Sequence, residues 1–235
     1  MLKIEHTEVV GWRAAIRGMR NPKNSWERSD SFIPCYQKTK CHECADNQKC
    51  AYYFEYDGLP YKKDDFIGTN DLDLMTRLRN AGTDHRKFMR MITVYFDITA
   101  PLYWWKEFDT YKVGTVANSC STMHKIADKE FTLEDFSCEH LENSWLAHLK
   151  ETIRLLNEAR DAYNWCNTDA KKEWWWQMIQ LLPSSYNQKR TVMLNYEVLA
   201  NIYKSRRNHK LDEWHTFCDW VEGLPYSELI TGKGD

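Results

Sequence analysis

The sequence predicts an α/β protein of the α+β kind, a single helix-rich domain (residues 1–235) around a small mixed or antiparallel sheet. Apolar residues recur at the three- and four-residue spacing of helices over much of the 235-residue chain. Runs of β-branched and aromatic residues, which are typical of strands, are few and short. Hydrophobic residues make up 43% of the chain and aromatic residues 14%, so a sizeable core can form.

Two strands are predicted, at residues 3–8 and 92–98. The second reads ITVYFDI and combines β-branched and aromatic residues over the length of a strand. Thr99 and Pro101 follow it as a helix start signal. The next segment, LYWWKEFDTYK, is predicted as an aromatic helix that Gly114 ends, and VANSCSTMH after it as an irregular polar stretch.

Six further helices are predicted from apolar spacing, at residues 9–19, 70–82, 140–163, 171–182 and 188–207 and from residue 211 onwards. The first is expected to bury Val10 and Ile16. In the second, Asn70 is the expected N-cap and Gly82 the expected end. The last helix is expected to bury one apolar face, made of Leu211, Trp214, Phe217, Cys218 and Val221.

Composition limits the classes of partner and the compartment. Net charge is −2, with 32 Lys and Arg against 34 Asp and Glu, which argues against a nucleic-acid partner held by counterion release. No stretch approaches the roughly 18 apolar residues that a membrane span needs. The first twelve residues lack the apolar core of a signal peptide. We therefore expect a cytoplasmic protein with reduced cysteines.

A cysteine cluster marks an insertion at about residues 31–68. Its spacing is C-x5-C-x2-C-x5-C, formed by Cys35, Cys41, Cys44 and Cys50. Four soft ligands within sixteen residues can hold a structural zinc ion tetrahedrally. The alternative is an insertion with incidental reduced thiols, since the x5 spacers are looser than those of common zinc motifs.

Residues 99–124 form the most unusual stretch of the chain. A strand leads into an aromatic helix, and the helix gives way to a run rich in Gly, Thr, Asn and Ser. Small hydroxyl and amide side chains beside free backbone N–H groups suit an anion or a nucleobase. A plain loop after a helix is the alternative that spacing alone leaves open.

The segment from His85 to His124 resembles the core of flavin-dependent thymidylate synthases. That family has a His-containing short helix, a strand of the type SFTFEI, a helix, and Arg-His-Arg continued by x-x-Ser-x-Asn-Glu-x-Ser-x-Arg-Tyr. The present segment can be laid on this pattern without a gap. ITVYFDI then matches the strand, Asn118 falls on the motif's Asn and Ser121 on its second Ser.

A second block extends the resemblance to roughly residues 70–215. The family has Leu-Pro followed by a helix with Asn-x-Arg-Glu-Leu and, further along, Leu-Arg. Here Leu182 and Pro183 are followed at the same spacing by Asn195, Leu199 and Arg206. If all of these lie on one helix, positions 195, 199, 202 and 206 share a face.

The charged anchors of the family are changed in this chain. Tyr111, Lys112 and Val113 stand where the family has Arg-His-Arg, and Glu197 stands where Asn-x-Arg has its arginine. Other departures are Val116, Ser119, Met123, His124 and Ile179. In the family the arginines and the histidine hold the flavin diphosphate and the nucleotide phosphate. Each lost charge-assisted contact costs about 1.5–3 kcal/mol.

The resemblance implies a set of site residues. Those expected to bind the cofactor are Lys112, Asn118 and Asn195, and those expected to bind the substrate are Ser119, Ser121, His124 and Arg206. Lys112 and His124 differ from the family and can instead be a solvated helix end and a surface ring. No catalytic side chain is implied, because the flavin carries the difficult step.

The implied reaction methylates dUMP to dTMP with methylene-tetrahydrofolate and NADPH through FAD, in a homotetramer with sites between subunits. Two other hypotheses remain. The chain can bind a nucleotide or flavin without turnover, which the changed arginines favour. It can also be a structural or interaction protein that keeps only the fold.

Overall fold

The computed structural model describes residues 2–31, 55–56, 59–60 and 67–232. They divide into two compact units. The first comprises Met1–Val9, Val94–Leu194 and Val198–Asp235, and the second comprises Val10–Thr93 and Asn195–Glu197. Most of the Cys-rich insertion lies outside the described residues, so the insertion and the single-domain organisation stay predictions.

Helices dominate the described chain, and the strands are short. The strands are β1 (Lys3–Val10), β2 (Glu55–Tyr56), β3 (Leu59–Pro60), β4 (Thr93–Pro101), β5 (Val116–Ser119) and β6 (Asn187–Asn195). The helices are α1 (Trp12–Arg20), α2 (Thr69–Asn80), α3 (Leu102–Phe108), α4 (Thr122–Lys125), α5 (Asn143–Trp165), α6 (Ala170–Leu181), α7 (Tyr196–Arg206), α8 (Asp212–Glu222) and α9 (Glu228–Thr231). The predicted α+β class is confirmed. No helix in these ranges is long and apolar enough to cross a membrane.

A four-stranded antiparallel sheet, in the order β1-β4-β6-β5, organises the first unit. β4 alternates, with Val94, Phe96 and Ile98 buried and the residues between them more exposed. β6 does the same through Val192 and Leu194. One face of the sheet is therefore buried and the other open, as is common in antiparallel sheets.

An aromatic cluster packs on the buried side of this sheet. The ring of Trp104 on α3 lies 4.6 Å from that of Trp214 and 5.8 Å from that of Phe217, both on α8. Phe96 of β4 lies 6.3 Å from Phe217. All four side chains are almost fully buried, and burial stabilises each by about 1.5–3 kcal/mol. The apolar face predicted for the last helix is confirmed from Trp214 to Val221.

The α5–α6 hairpin brings a second apolar cluster to the first unit. Leu149, Ile153 and Leu156 of α5 and Met178 of α6 are buried together. α5 begins at Asn143, two residues after Leu141, and Trp145 in its first turn is 63% exposed. The predicted apolar stripe is therefore correct from Leu149 onwards and wrong at its start.

A buried ion pair links α1 to α2 in the second unit. Arg20 Nε lies 2.6 Å from Asp71 Oδ1, and the hydroxyls of Ser29 and Ser31 donate to Asp71 Oδ2. Burial alone would raise the pKa of Asp71, but these hydrogen bonds and Arg20 outweigh it and lower the pKa.

The start of α2 corrects one expected cap. Gly68 is the N-cap, and the carboxylate of Asp30 accepts hydrogen bonds from the backbone N–H groups of Asn70 and Asp71. The predicted N-cap, Asn70, therefore lies inside the helix. Val10 was also expected to be buried in a helix, but it ends β1 and is 45% exposed.

Three sequence predictions around the site were wrong. Residues 116–124, predicted to be irregular, contain β5 and most of α4. The predicted helix at 188–207 is the strand β6 followed by α7, so Asn195 ends a strand. The aromatic helix ends at Phe108, and Gly114 instead provides a positive φ of 77° in the turn before β5. Residues 116–119 and 187–195 form strands because they pair with each other. The local spacing of apolar residues does not reveal this long-range pairing.

Candidate functional site

The segment singled out by the sequence forms an edge of the sheet. β5 pairs antiparallel with β6, with Asn118 opposite Thr191 and Ser119 opposite Arg190, and all four of its residues are exposed. Cys120 N donates to Lys189 O at 2.9 Å, which makes the pair at 118 and 191 hydrogen-bonded as well. The N–H and C=O groups of Ala117 and Ser119 therefore point to the open edge.

Asn118 and Ser119 point to opposite faces of the sheet, because successive side chains of a strand alternate. Asn118 lies on the open face with Thr191, and Ser119 lies on the other face with Arg190. Within the described residues neither side chain makes a hydrogen bond. Both are therefore available to a ligand, although one flat ligand on a single face cannot meet both.

An ionic network accompanies Asn118 on the open face. Thr191 Oγ1 donates to Asp97 Oδ1 at 2.7 Å, and Lys189 Nζ lies 3.1 Å from Asp97 Oδ2. Hydrogen bonds from Thr191 and Lys189 lower the pKa of Asp97. The hydrogen bond to Asp97 raises the pKa of Lys189 in turn. Sequence reasoning missed this network because it placed Lys189 and Thr191 on a helix.

Arg190 braces the end of β5 from the other face. Its guanidinium lies 4.0 Å above the ring of Trp105 and 2.7 Å from Asp109 Oδ1. It also donates to the side-chain oxygen of Gln188, whose Nε2 donates to Cys120 O at 3.0 Å. The backbone at Ser119 and Cys120 is thus fixed by buried groups of α3 and β6.

The hydroxyl of Ser121 has a local structural partner. It accepts a hydrogen bond from the backbone N–H of His124 at 3.1 Å and caps the short helix α4. Trp175 Nε1 donates to Met123 O at 2.9 Å and ties α4 to α6. The exposed imidazole of His124 makes no hydrogen bond within the described residues. Of these two expected contacts, His124 is the freer side chain.

Arg206 lies in a defined cluster, which we call the Arg206 cluster (Glu107, Tyr111, Arg206, His209 and Trp214). Arg206 Nε donates to Tyr111 Oη at 2.9 Å, and its Nη1 lies 2.5 Å from Glu107 Oε2. The guanidinium carbon lies 4.9 Å from the centre of the Trp214 ring. No described residue accepts a hydrogen bond from Nη2, so the guanidinium is fixed on two sides and open on a third.

Glu107 is the hub of the Arg206 cluster. Besides Arg206, its Oε2 accepts from Trp214 Nε1 and lies 3.2 Å from His209 Nε2. His209 Nδ1 accepts from the backbone N–H of Leu211 at 3.2 Å. The proton of a neutral His209 is therefore on Nε2, where it can donate to Glu107. No local pattern singled out His209, because its partner Glu107 lies more than a hundred positions away in the chain.

A second ionic cluster, the Glu197 cluster, lies in the second unit and consists of Arg86, Arg90 and Glu197. Arg86 Nε lies 3.1 Å from Glu197 Oε1, and Arg90 donates to both carboxylate oxygens. Burial would raise the pKa of Glu197, but hydrogen bonds from the two arginines outweigh it and lower the pKa. Where the resembling family has an arginine, this chain has a carboxylate that two arginines neutralise.

Residues 111–113 carry no guanidinium where the family has Arg-His-Arg, and the cofactor contact expected of Lys112 stays a prediction. Tyr111 accepts from Arg206, and Val113 is 91% exposed. Lys112, exposed and without an ion pair in the described chain, offers the one positive charge of the three. A diphosphate would meet a single mobile ammonium in place of a bidentate clamp.

The expected site residues fall into separate groups. Lys112 follows Tyr111 and so lies beside the Arg206 cluster. Within the described residues, no hydrogen bond or ion pair joins Arg206 to Asn118, Ser119 or His124. Asn195 belongs to the second unit.

The clustered cysteines lie outside the described residues, so their zinc ion stays a prediction. In the ranges that are described, no group of three or more His, Cys, Asp or Glu residues is placed to hold a metal ion.

Comparison with known proteins identifies the fold. No family model matches the sequence, and no curated protein does. The crystal structure of thymidylate synthase X (ThyX) from Helicobacter pylori with FAD and dUMP matches with a TM-score of 0.61 at 14% identity, over 99% of this chain and 98% of that chain.

Two further solved structures agree. A second complex of the H. pylori enzyme with FAD and dUMP has a TM-score of 0.60 at 14% identity, over 98% of each chain. The UMP/dUMP methylase PolB from Streptomyces cacaoi, bound with 5-Br dUMP, has a TM-score of 0.55 at 12% identity, over 99% of this chain and 95% of that chain. This protein therefore has the fold of flavin-dependent thymidylate synthases.

Proposed function

We propose that this protein binds dUMP and methylates C5 of its uracil. The observation that carries the proposal is the state of Arg206. Its guanidinium is held by Tyr111 and Glu107 and keeps a free Nη2 edge. A guanidinium fixed in this way is prepared for an acceptor oxygen of a ligand, because little side-chain entropy remains to be lost on binding. The likeness to structures that hold dUMP supports the choice of ligand.

The β5 edge supports the same ligand class. Ala117 and Ser119 present alternating backbone donors and acceptors, and uracil carries an N–H between two carbonyl oxygens. Asn118 adds an amide on the open face beside the Asp97 network. These groups orient and polarise a pyrimidine, and none of them is a nucleophile. We therefore assign this chain the binding and orientation of the nucleotide.

The proposed reaction converts dUMP to dTMP, with methylene-tetrahydrofolate as the carbon donor and NADPH as the reductant. FAD is the cofactor proposed on the strength of the solved structures that hold it. Lys112, Asn118 and Asn195 are the residues expected near it. Because Tyr111–Val113 lack the family's clamp, FAD is expected to bind more weakly than to a site with two arginines.

A homotetramer is part of the proposal. Arg206 and the β5 edge are both available to ligand, but no contact within the described chain joins them. A site completed by a second copy of the chain would use both, as the resemblance to the family implies. Sedimentation with and without dUMP measures this directly.

A second candidate function is nucleotide binding without turnover. The Glu197 cluster favours it, since the position of a family arginine carries a buried carboxylate that is already neutralised. The two candidates share the dUMP site and differ only in catalysis.

The experiment that tests the proposal has two readings on the purified protein. An absorbance band at about 450 nm reports bound flavin. NADPH oxidation that depends on dUMP and methylene-tetrahydrofolate, with dTMP as product, establishes the reaction. Binding of dUMP without oxidation would select the second candidate. A colourless protein that takes up neither FAD nor dUMP would contradict both.

A further inference from the structure

Glu107 Oε2 accepts hydrogen bonds from one side chain on α7 and one on α8, and a histidine between the two helices lies close to it. Arg206 of α7 and Trp214 of α8 donate to the same oxygen, Oε2, at 2.5 and 3.2 Å. His209, between the two helices, places its Nε2 3.2 Å from that oxygen. A carboxylate with this many donors is fixed in place, because any rotation breaks several charge-assisted bonds at once.

The same contacts define how Arg206 is presented. Glu107 holds Nη1, Tyr111 holds Nε, and the Trp214 ring covers one face of the guanidinium. The side chain of Arg206 is 18% exposed. Its Nη2 has no hydrogen-bond partner among the described residues and is not among their fully buried, unsatisfied atoms. One edge of the guanidinium therefore remains for a ligand.

We propose that Glu107 is a positioning residue, which holds Arg206 so that its Nη2 edge meets the nucleotide, and that His209 and Trp214 hold Glu107 in turn. This inference rests on the proposed function. The oxygen of Glu107 that faces Arg206, Oε2, is occupied by donors of the protein. The effect of Glu107 on the nucleotide passes through Arg206.

The variant that tests this is Glu107→Gln, which keeps the shape of the side chain and removes its charge. The matched control is Glu213→Gln on α8. Glu213 accepts from the hydroxyl of Tyr103 and so also joins α3 to α8, and within the described residues no hydrogen bond or ion pair joins it to Arg206.

The first measurement needs no ligand. In ¹H–¹⁵N NMR of the full-length protein, the Nε–H of Arg206 is expected to be rigid in the wild type and in Glu213→Gln, and mobile in Glu107→Gln. An Arg206 Nε–H that is equally rigid in all three proteins would overturn the positioning role, whether or not dUMP binds.

The second measurement is dUMP affinity by calorimetry. Glu107→Gln is expected to weaken binding about tenfold, and to have no further effect when Arg206→Ala is already present. Glu213→Gln is expected to keep wild-type affinity. An equal loss of dUMP affinity in Glu107→Gln and Glu213→Gln would overturn the inference. A further loss of affinity when Glu107→Gln is added to Arg206→Ala would also overturn it. A wild type that does not bind dUMP would contradict the proposed function, and the NMR result then decides the positioning role alone.

Discussion

The Arg206 cluster and the Glu197 cluster both pair arginine with glutamate, but in opposite proportions. In the first, one guanidinium is shared by two acceptors, Glu107 and Tyr111. In the second, one carboxylate is shared by two guanidiniums, Arg86 and Arg90. The first leaves a donor edge open. The second saturates its central carboxylate.

This difference separates binding from stability. Arg206 keeps the position it has in the resembling family and is held ready for an acceptor. Glu197 stands where the family has an arginine. Its carboxylate is buried and forms ion pairs with Arg86 and Arg90. We infer that the Arg206 cluster serves the nucleotide and that the Glu197 cluster serves the fold. Variants at Glu197 test the role in stability, and variants at Asn118 and Arg206 test the role in binding.

The largest expected effect is on stability. Glu197→Ala should lower the free energy of unfolding by about 2 kcal/mol, because it leaves the mostly buried Arg86 without its carboxylate, whereas the half-exposed Arg90 is solvated by water. Urea unfolding followed by circular dichroism measures this. The control is Glu151→Ala on α5, because the side chain of Glu151 is 56% exposed whereas that of Glu197 is 11% exposed. That exposed pair should contribute less than about 1 kcal/mol. An equal loss of unfolding free energy in the two variants would contradict a structural role for the Glu197 cluster.

The pH dependence of unfolding sharpens the same point. The arginines lower the pKa of Glu197 below its value of 4.5 in the unfolded chain. The carboxylate therefore stabilises the fold above pH 4.5, and this contribution is lost as the pH falls through the lower, folded-state pKa. The stability difference between wild type and Glu197→Gln should be full at pH 7 and shrink below pH 4.5. A difference that stays constant down to pH 2 would show that charge is not its cause.

A smaller effect is expected at the β5 edge. Asn118→Ala removes an exposed amide without a hydrogen-bond partner in the described chain, so stability should change by less than about 0.5 kcal/mol. Affinity for dUMP should fall severalfold, by about 1 kcal/mol for one hydrogen bond. Asn143→Ala, at the exposed start of α5, is the control. Unchanged affinity in both Asn118→Ala and Ser121→Ala would refute the placement of the nucleotide at β5.

The sequence predicted the parts of the fold that local pattern determines. ITVYFDI became the core of β4, and the apolar spacing after Leu211 became the buried face of α8. β6 was missed because Asn187–Asn195 contains apolar residues that also fit helical spacing toward Leu199. Its state depends on its sheet neighbours, including β5, which lies about seventy residues earlier in the chain.

The candidate site divides in the same way. Motif spacing predicted Arg206 and Asn118 as site residues, but it did not predict which residues surround them. The partners of Arg206 lie 95 and 99 positions away, at Tyr111 and Glu107. No periodicity links residues at such a separation. In the sequence, Tyr111 stands where the family has an arginine, which indicated a lost ligand contact. In the structure, its hydroxyl accepts a hydrogen bond from Arg206.

The most direct test of the central claim is a calorimetric titration of dUMP into wild-type protein and Arg206→Ala side by side. We predict saturable binding to the wild type and a loss of about tenfold or more in Arg206→Ala, measured at a temperature at which circular dichroism shows both proteins folded. Equal affinity in the two proteins, or no binding to the wild type, would contradict the claim.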